Sequence, residues 1–445
     1  MKRRQIIFLS IIIVLIGLII LGFINYQKLT ILSGYSAKNT CSSVFLANRS
    51  LEFTDAHDNN FAPVNLAHDQ IDPSQESAEA SVFGLMKRTA LYREGLGSVL
   101  VDDNYAKTPF NLRPNRAKIS KALPYPYGDL PQKDTVFRNV NYKKIARLVN
   151  HIIKQDSLTT TRALLVLYKD QIIAEHYAEG YHTTSKFLGW SMTKSILATL
   201  IGIRQFEGNL DIMDTAPVEQ WKQDDRKNIT IHNLLQMNSG LAWDEDYGSI
   251  SDVTRMLFKA RDMTTIQANK KLLHAPGSHW NYSSGTTNLL SGILRKQFRT
   301  TQEYLDYPYK VLIDRIGMHS MVLEADMKGN YVGSSYAWAT VRDWAKFGLL
   351  YLHEGNWNGE QVFDAPWKDY VTTPANDSNG VYGGHFWLHD PEILPDVPLD
   401  IYSANGYQGQ RVFIIPSKEL VIARFGLSED FDFNNFIADI VSAMN

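Results

Sequence analysis

The 445-residue chain contains one cysteine, Cys41. That excludes an intramolecular disulfide framework and a cysteine-rich metal site. An excess of positive charge is also lacking: 45 Lys and Arg face 47 Asp and Glu, a formal net charge of -2. With no basic stripe, the electrostatic footprint of a nucleic-acid-binding protein is absent. His-Glu-x-x-His, a P-loop and a Gly-x-Gly-x-x-Gly that opens a helix are all missing. Hydrolytic chemistry in this chain is therefore expected to run without metal, nucleotide or other cofactor. Charge is missing again throughout residues 6–24. A helix over that run is long enough to span a bilayer. Lys2, Arg3 and Arg4 precede it, and no small-x-small cleavage site follows. The expectation is an uncleaved signal anchor over residues 1–25, a single pass through the cytoplasmic membrane, with the rest of the chain extracytoplasmic and periplasmic.

What is present is ordinary globular composition, 44% hydrophobic and 21% charged, enough for a large core and an accessory region. Residues 26–135 read as an extension of unknown role. They are polar and turn-rich, with Pro63, Pro73, Pro114, Pro124, Pro126 and Pro131 among them. Inside it, residues 81–86 and 89–92 have the composition of two short paired strands. The pattern tightens over residues 136–445. Ile145, Leu148, Val149 and Ile152 have helical spacing. Residues 163–168 and 171–177 flank the polar pair Lys169-Asp170 and read as a hairpin. A second hairpin joins residues 411–415 to 420–425 across Pro416-Ser417-Lys418, and a closing helix covers about 434–444. Between the hairpins lies a helical insertion, about 211–330, with Thr230 capping a helix over 231–237. The fold class is α+β: an antiparallel sheet flanked by helices, with an inserted helical subdomain and a transmembrane helix in front.

The chemistry starts at Ser191-Met192-Thr193-Lys194. The serine and lysine are three apart, at the start of an apolar helical run through Ile196, Leu197, Leu200, Ile201 and Ile203. Both then share one face of a first helical turn. A serine hydroxyl is a poor nucleophile until a neighbour takes its proton, and a lysine does so when burial favours its neutral form. A helix-capping serine followed by a solvated lysine has the same spacing. Two later blocks change that balance: Asn281-Tyr282-Ser283-Ser284-Gly285 and Gly406-Tyr407-Gln408-Gly409-Gln410, the latter just before a C-terminal strand.

These three blocks, in this order, resemble the serine β-lactamase and penicillin-binding-protein superfamily. The likeness is greatest to its class C branch, with related family VIII esterases and 6-aminohexanoate-oligomer hydrolases. Residues 231–240, 339–348 and 357–361 add to the likeness, which covers about residues 140–445. The resemblance implies a β-lactamase/transpeptidase-like fold and a serine hydrolase. In it, Ser191 would be acylated, Lys194 and Tyr282 would handle protons, and the backbone N–H groups of Ser191 and Gln410 would form the oxyanion hole. Trp190, Tyr247, Ser284 and Gly409 are the expected substrate-binding positions. Tyr247 stands in Asp244-Glu245-Asp246-Tyr247, similar to a loop bordering the site in 6-aminohexanoate-dimer hydrolases. A core role is the alternative for both aromatics, and a turn or strand-entry role for Ser284 and Gly409.

Two departures bear on substrate. β-Lactamases and peptidoglycan peptidases commonly open the third block with a cation that grips a carboxylate, where this chain has Tyr407 and Gln408. The second block reads Tyr-Ser-Ser rather than Tyr-x-Asn. The expected substrate is therefore a small carboxylic ester or amide. A β-lactamase or D-Ala-D-Ala-type peptidase is the alternative, and a non-catalytic ligand-binding protein on the same fold is a third. Asn281-Tyr282-Ser283 is also a glycosylation acceptor pattern, and a glycan there would obstruct the second block, which favours a bacterial source.

Overall fold

The computed structural model describes residues 2–102, 104–105, 110–154, 160–428 and 430–444. The chain divides into two compact units. One comprises Met1–Arg93, Ser98–Pro109 and Asp244–Arg261; the other comprises Glu94–Gly97, Phe110–Trp243 and Asp262–Asn445.

The first unit is a long helix on a small sheet. Helix α1 runs Lys2–Cys41 without a break. Strands β1 (Ala67–Asp72), β2 (Ser77–Val82), β3 (Leu85–Arg93) and β4 (Gly97–Val101) form a sheet in that order. The sequence pattern placed one strand across residues 81–86. The structure puts a turn there instead, because Phe83 and Gly84 adopt left-handed backbone angles (φ 54° and 73°). Two such residues form the tight connection whose twist matches a hairpin, so β2 and β3 pair across them, Val82 opposite Leu85.

The second half of α1 belongs to the protein core: Ile31, Ser33, Ser36, Ala37, Lys38, Thr40 and Cys41 are all buried. The expected membrane anchor over residues 1–25 is corrected here. Among the described residues no helix is long and apolar enough to cross a membrane. The helix then continues as a packed, partly polar element rather than ending at an interface. The single-pass, exported localisation that rested on the anchor falls with it.

The second unit is an antiparallel sheet covered by helices. Its elements begin with α2 (Tyr142–Lys154), β5 (Ala163–Tyr168), β6 (Gln171–Tyr177), β7 (Lys186–Leu188) and α3 (Met192–Phe206). They continue with α4 (Ser284–Arg295), β8 (Val322–Leu323), β9 (Ala337–Thr340) and α5 (Val341–Leu352). The last are β10 (Trp387–Leu388), β11 (Tyr402–Gly406), β12 (Gln410–Ile415), β13 (Leu420–Phe425) and α6 (Phe433–Val441). The six-stranded order is β10-β11-β12-β13-β5-β6. Both expected hairpins are there, β5–β6 turning at Lys169 and Asp170 (φ 49° and 61°) and β12–β13 turning at residues 416–418.

Period two sorts the sheet's side chains. Leu164, Val166, Phe413, Ile415, Leu420 and Ile422 pack with Ile145, Val149 and Ile152 of α2 and Phe436, Ile437 and Ile440 of α6. The other face meets α5, where Gly348 lets Val412 and Val421 come close. With helices on both faces, β5 and β13 are buried along their whole length. That burial explains why they read as continuous apolar runs. Thr230 caps its helix as expected, through a reciprocal box with Asn233, but the helix ends at Leu235. Met237, with φ 59°, cannot continue it.

Candidate active site

A strained turn presents Ser191. Strand β7 pairs with β9, and the pairing runs on through Gly189 N–H to the Ala337 carbonyl at 2.8 Å. Trp190 then takes a left-handed conformation, φ 47°, costly for a bulky residue. The turn is held from within: Thr193 Oγ1 donates to the Trp190 carbonyl at 2.7 Å and accepts from Ala337 N–H at 3.1 Å. Ser191 follows as the N-cap of α3 and stays half-buried. Residues 192–203 behind it are buried without exception. A helix enclosed on all sides is a rigid mount for its first residue.

Lys194 lies one turn along and is 1% exposed. Its Nζ donates to Ser191 Oγ at 3.0 Å, to Ser284 Oγ at 2.9 Å and to the Ser334 carbonyl at 3.0 Å. Three acceptors match the three donors of an ammonium. The same Nζ lies 4.9 Å from the centre of the Tyr282 ring. Tyr282 and Ser284 flank Ser283, the N-cap of α4, whose hydroxyl accepts from Thr286 N–H at 3.0 Å. Trp243 packs against Gly285 so closely that a Cβ there would overlap its ring. The fold thus brings Ser191, Lys194, Tyr282 and Ser284 together, with Ser284 satisfied by the lysine.

The third block closes the other side. A Cβ on Gly406 would collide with the carbonyl oxygen of Gly189, so glycine sets the approach of β11 to the serine turn. Tyr407 then meets Trp190 edge to face at 5.7 Å, and Tyr336 lies 6.1 Å from Trp190 on another side. Gln410 is buried, and its side chain is spent on main-chain groups: Nε2 donates to the carbonyls of Tyr407, Gln408 and Gly426, and Oε1 accepts from Gly426 N–H. That clamp holds its peptide in place. Gly409 has φ 74°, and a Cβ there would run into the Arg424 guanidinium and the Ser428 carbonyl. Close internal packing thus explains its glycine. Tyr247 belongs to the first unit, where its hydroxyl donates to Glu245 Oε1 at 3.1 Å.

Several neighbours were not placed by the sequence reading. Tyr282 is edge-on to Tyr382 at 5.7 Å and tilted on Trp387 at 5.5 Å, with Trp280 against both of these rings. Asn288 Oδ1 accepts from Ser334 N–H at 3.1 Å and so braces the segment whose carbonyl takes Lys194. His385 is buried, its imidazole pushed down to about 3 by burial, with the nearby Lys194 charge adding to the effect. Asn288, four residues after Ser284 on one helical face, carried a spacing signal; a backbone carbonyl such as that of Ser334 carries none.

The Beta-lactamase family model matches residues 149–431. A 6-aminohexanoate-dimer hydrolase from Paenarthrobacter ureafaciens is 22% identical over 303 residues, covering 62% of this chain and 74% of that protein. Among solved structures, a Bacillus anthracis protein assigned as a 6-aminohexanoate-dimer hydrolase superposes with a TM-score of 0.55 at 20% identity, covering 68% of this chain and 82% of that one. A hydrolase with promiscuous acyltransferase activity superposes at 0.54 and 13% identity, over 68% of this chain and 97% of its own. The enclosed serine–lysine turn, the antiparallel sheet and the family match converge: this chain belongs to the β-lactamase family of serine hydrolases.

Proposed function

We propose that the chain hydrolyses a small carboxylic ester or amide through an acyl-serine intermediate on Ser191. The observation that carries this reading is the 3.0 Å hydrogen bond between Lys194 Nζ and Ser191 Oγ inside an enclosed helical turn. In the acylation step Ser191 Oγ bonds to the substrate carbonyl carbon. Its proton passes to the Lys194–Tyr282 pair, which returns one to the departing alcohol or amine. Tyr282, with the lysine over its ring, is the group suited to take a proton from water when the acyl-enzyme is hydrolysed. The oxyanion in both steps is assigned to the backbone N–H groups of Ser191 and Gln410. Ser284 holds Lys194 in line, a positioning role. Trp190 and Tyr407 supply apolar surface beside the serine. The lack of a third-block cation at Tyr407-Gln408 favours neutral esters and linear amides over carboxylate-bearing substrates.

The test is labelling of the full-length protein with a fluorophosphonate, the adduct located by mass spectrometry beside Ser191→Ala. A single adduct on Ser191, lost in the variant, is expected. Folded wild-type protein that takes up no label at Ser191 would refute an activated nucleophile there.

A further inference from the structure

His385 lies on the loop that leads into β10, two residues before Trp387. It is 2% exposed and holds a left-handed backbone, φ 63°. Three hydrogen bonds run from it to three elements. Nδ1 lies 2.6 Å from the Leu235 carbonyl, so this nitrogen carries the proton and donates. Nε2 is then the acceptor and takes the Thr287 hydroxyl at 3.0 Å. The His385 carbonyl accepts from Ser195 Oγ at 2.7 Å.

Those partners are next to the reacting groups. Ser195 is the residue after Lys194 on α3. Thr287 lies three residues after Ser284 on α4. The loop's own Tyr382 and Trp387 hold the Tyr282 ring. A hydrophobic residue in this place would fill space but leave Thr287 Oγ1 and the Leu235 carbonyl to find other partners. A protonated imidazole would lose its acceptor and place a second positive charge beside Lys194. Burial and the lysine both oppose that, so the ring stays a neutral donor–acceptor bridge.

We propose that His385 is a positioning residue for the hydrolytic reaction. It sets the separation of helix α3, capped by Ser191 and bearing Lys194, from helix α4, which begins at Ser284 just after Tyr282, through its Ser195 and Thr287 hydrogen bonds. The inference rests on the reading that Ser191 is acylated. The ring's hydrogen bonds go to Thr287 and the Leu235 carbonyl; it acts through Thr287 and the loop.

The test measures fluorophosphonate labelling of Ser191 in full-length wild type, His385→Asn, Thr287→Val and the double variant, separating the maximal labelling rate from the probe concentration at half-maximum. Asparagine keeps a donor for the Leu235 carbonyl and is too short to place an acceptor where Nε2 meets Thr287. Each single variant is expected to lower the maximal rate roughly 10- to 100-fold with half-saturation unchanged, the scale of a small misplacement of reacting groups. The double variant is expected to fall no further than the worse single, because both remove one hydrogen bond. Thr287→Val keeps the side-chain volume, so it reads the bond even where a His385 variant folds poorly. Wild-type labelling with unchanged maximal rates in folded Thr287→Val and His385→Asn overturns the proposal, as does full additivity. Absence of wild-type labelling refutes the acyl-serine reading instead.

Discussion

Asp69 in the first unit and Lys194 in the second are each buried in a network of polar groups, and the two networks differ in what they hold. In the first unit Asp69 Oδ2 accepts from Ser36 Oγ at 2.6 Å and from Asn59 Nδ2 at 3.2 Å, and Asn59 also donates to Thr40 at 2.9 Å. Ser36, Thr40, Asn59 and Asp69 are all buried. In the second unit Lys194 is just as enclosed, yet one of its three acceptors, Ser191, remains half-exposed at a helix start. The Asp69 network, whose hydroxyl and amide donors are buried, fixes how α1 lies on its sheet. A network with one open end holds a group that an outside molecule can reach. The open end is also where strain collects, at Trp190. The difference separates polar residues that specify packing from polar residues that serve chemistry.

Breaking the open network should act on activity. Lys194→Met is expected to cut Ser191 labelling roughly 100- to 10,000-fold, the range for loss of a positioned acid–base group. Its stability should change by less than about 1 kcal/mol, because removing a buried charge offsets the lost hydrogen bonds. Labelling kinetics and urea titration of the same preparation check both halves. Gly406→Ala comes next: its Cβ forces β11 away from the Gly189 carbonyl. A loss of about 2 kcal/mol in stability, together with slower labelling at Ser191, is expected from such overpacking.

Breaking the Asp69 network should act on stability alone. Asp69→Ala leaves the Ser36 hydroxyl and part of the Asn59 amide without their acceptor, a loss of about 1–3 kcal/mol. Hydrogen exchange of the α1 and β1–β3 amides reads it locally. The smallest effect is on pH. Asp55, at the surface end of this network, has its carboxyl pushed up to about 6 by burial and then by the Asp69 charge. Its unfolded value is about 3.9. Folding therefore takes up a proton between these values. The stabilising contribution is complete below about pH 4 and is lost as pH rises through 6. Exchange in this unit, corrected for intrinsic rates, should be faster at pH 7.5 than at pH 5. Asp69→Asn should flatten that difference; an unchanged profile would remove the pair from the account.

Legibility in the sequence followed the range of the interactions. The β5–β6 hairpin was readable to the residue because Lys169-Asp170 interrupts two runs of strand-forming side chains. The β2–β3 turn was not, since Phe83 lacks any turn signature and takes left-handed angles only because the strands close across it. At the site, Ser191, Lys194, Tyr282 and Ser284 announced themselves through two short blocks, 191–194 and 281–285. His385 did not, because no local pattern distinguishes a histidine that bridges two helices from one that faces solvent. The apolar run of residues 6–24 misled in the opposite way: composition alone does not say where a helix leaves its apolar stretch and becomes protein core.

Local spacing therefore decided which face carries Ser191 and Lys194, since three residues is close to one helical turn, and which strand faces are apolar, since side chains alternate. The tertiary structure alone decided that Lys194 meets Ser284 and the Ser334 carbonyl, 90 and 140 residues away along the chain. The first kind of fact follows from backbone geometry that every residue shares. The second depends on loop closure and on main-chain groups that are chemically the same at every position, so nothing in the order of side chains marks which carbonyl a buried lysine will find.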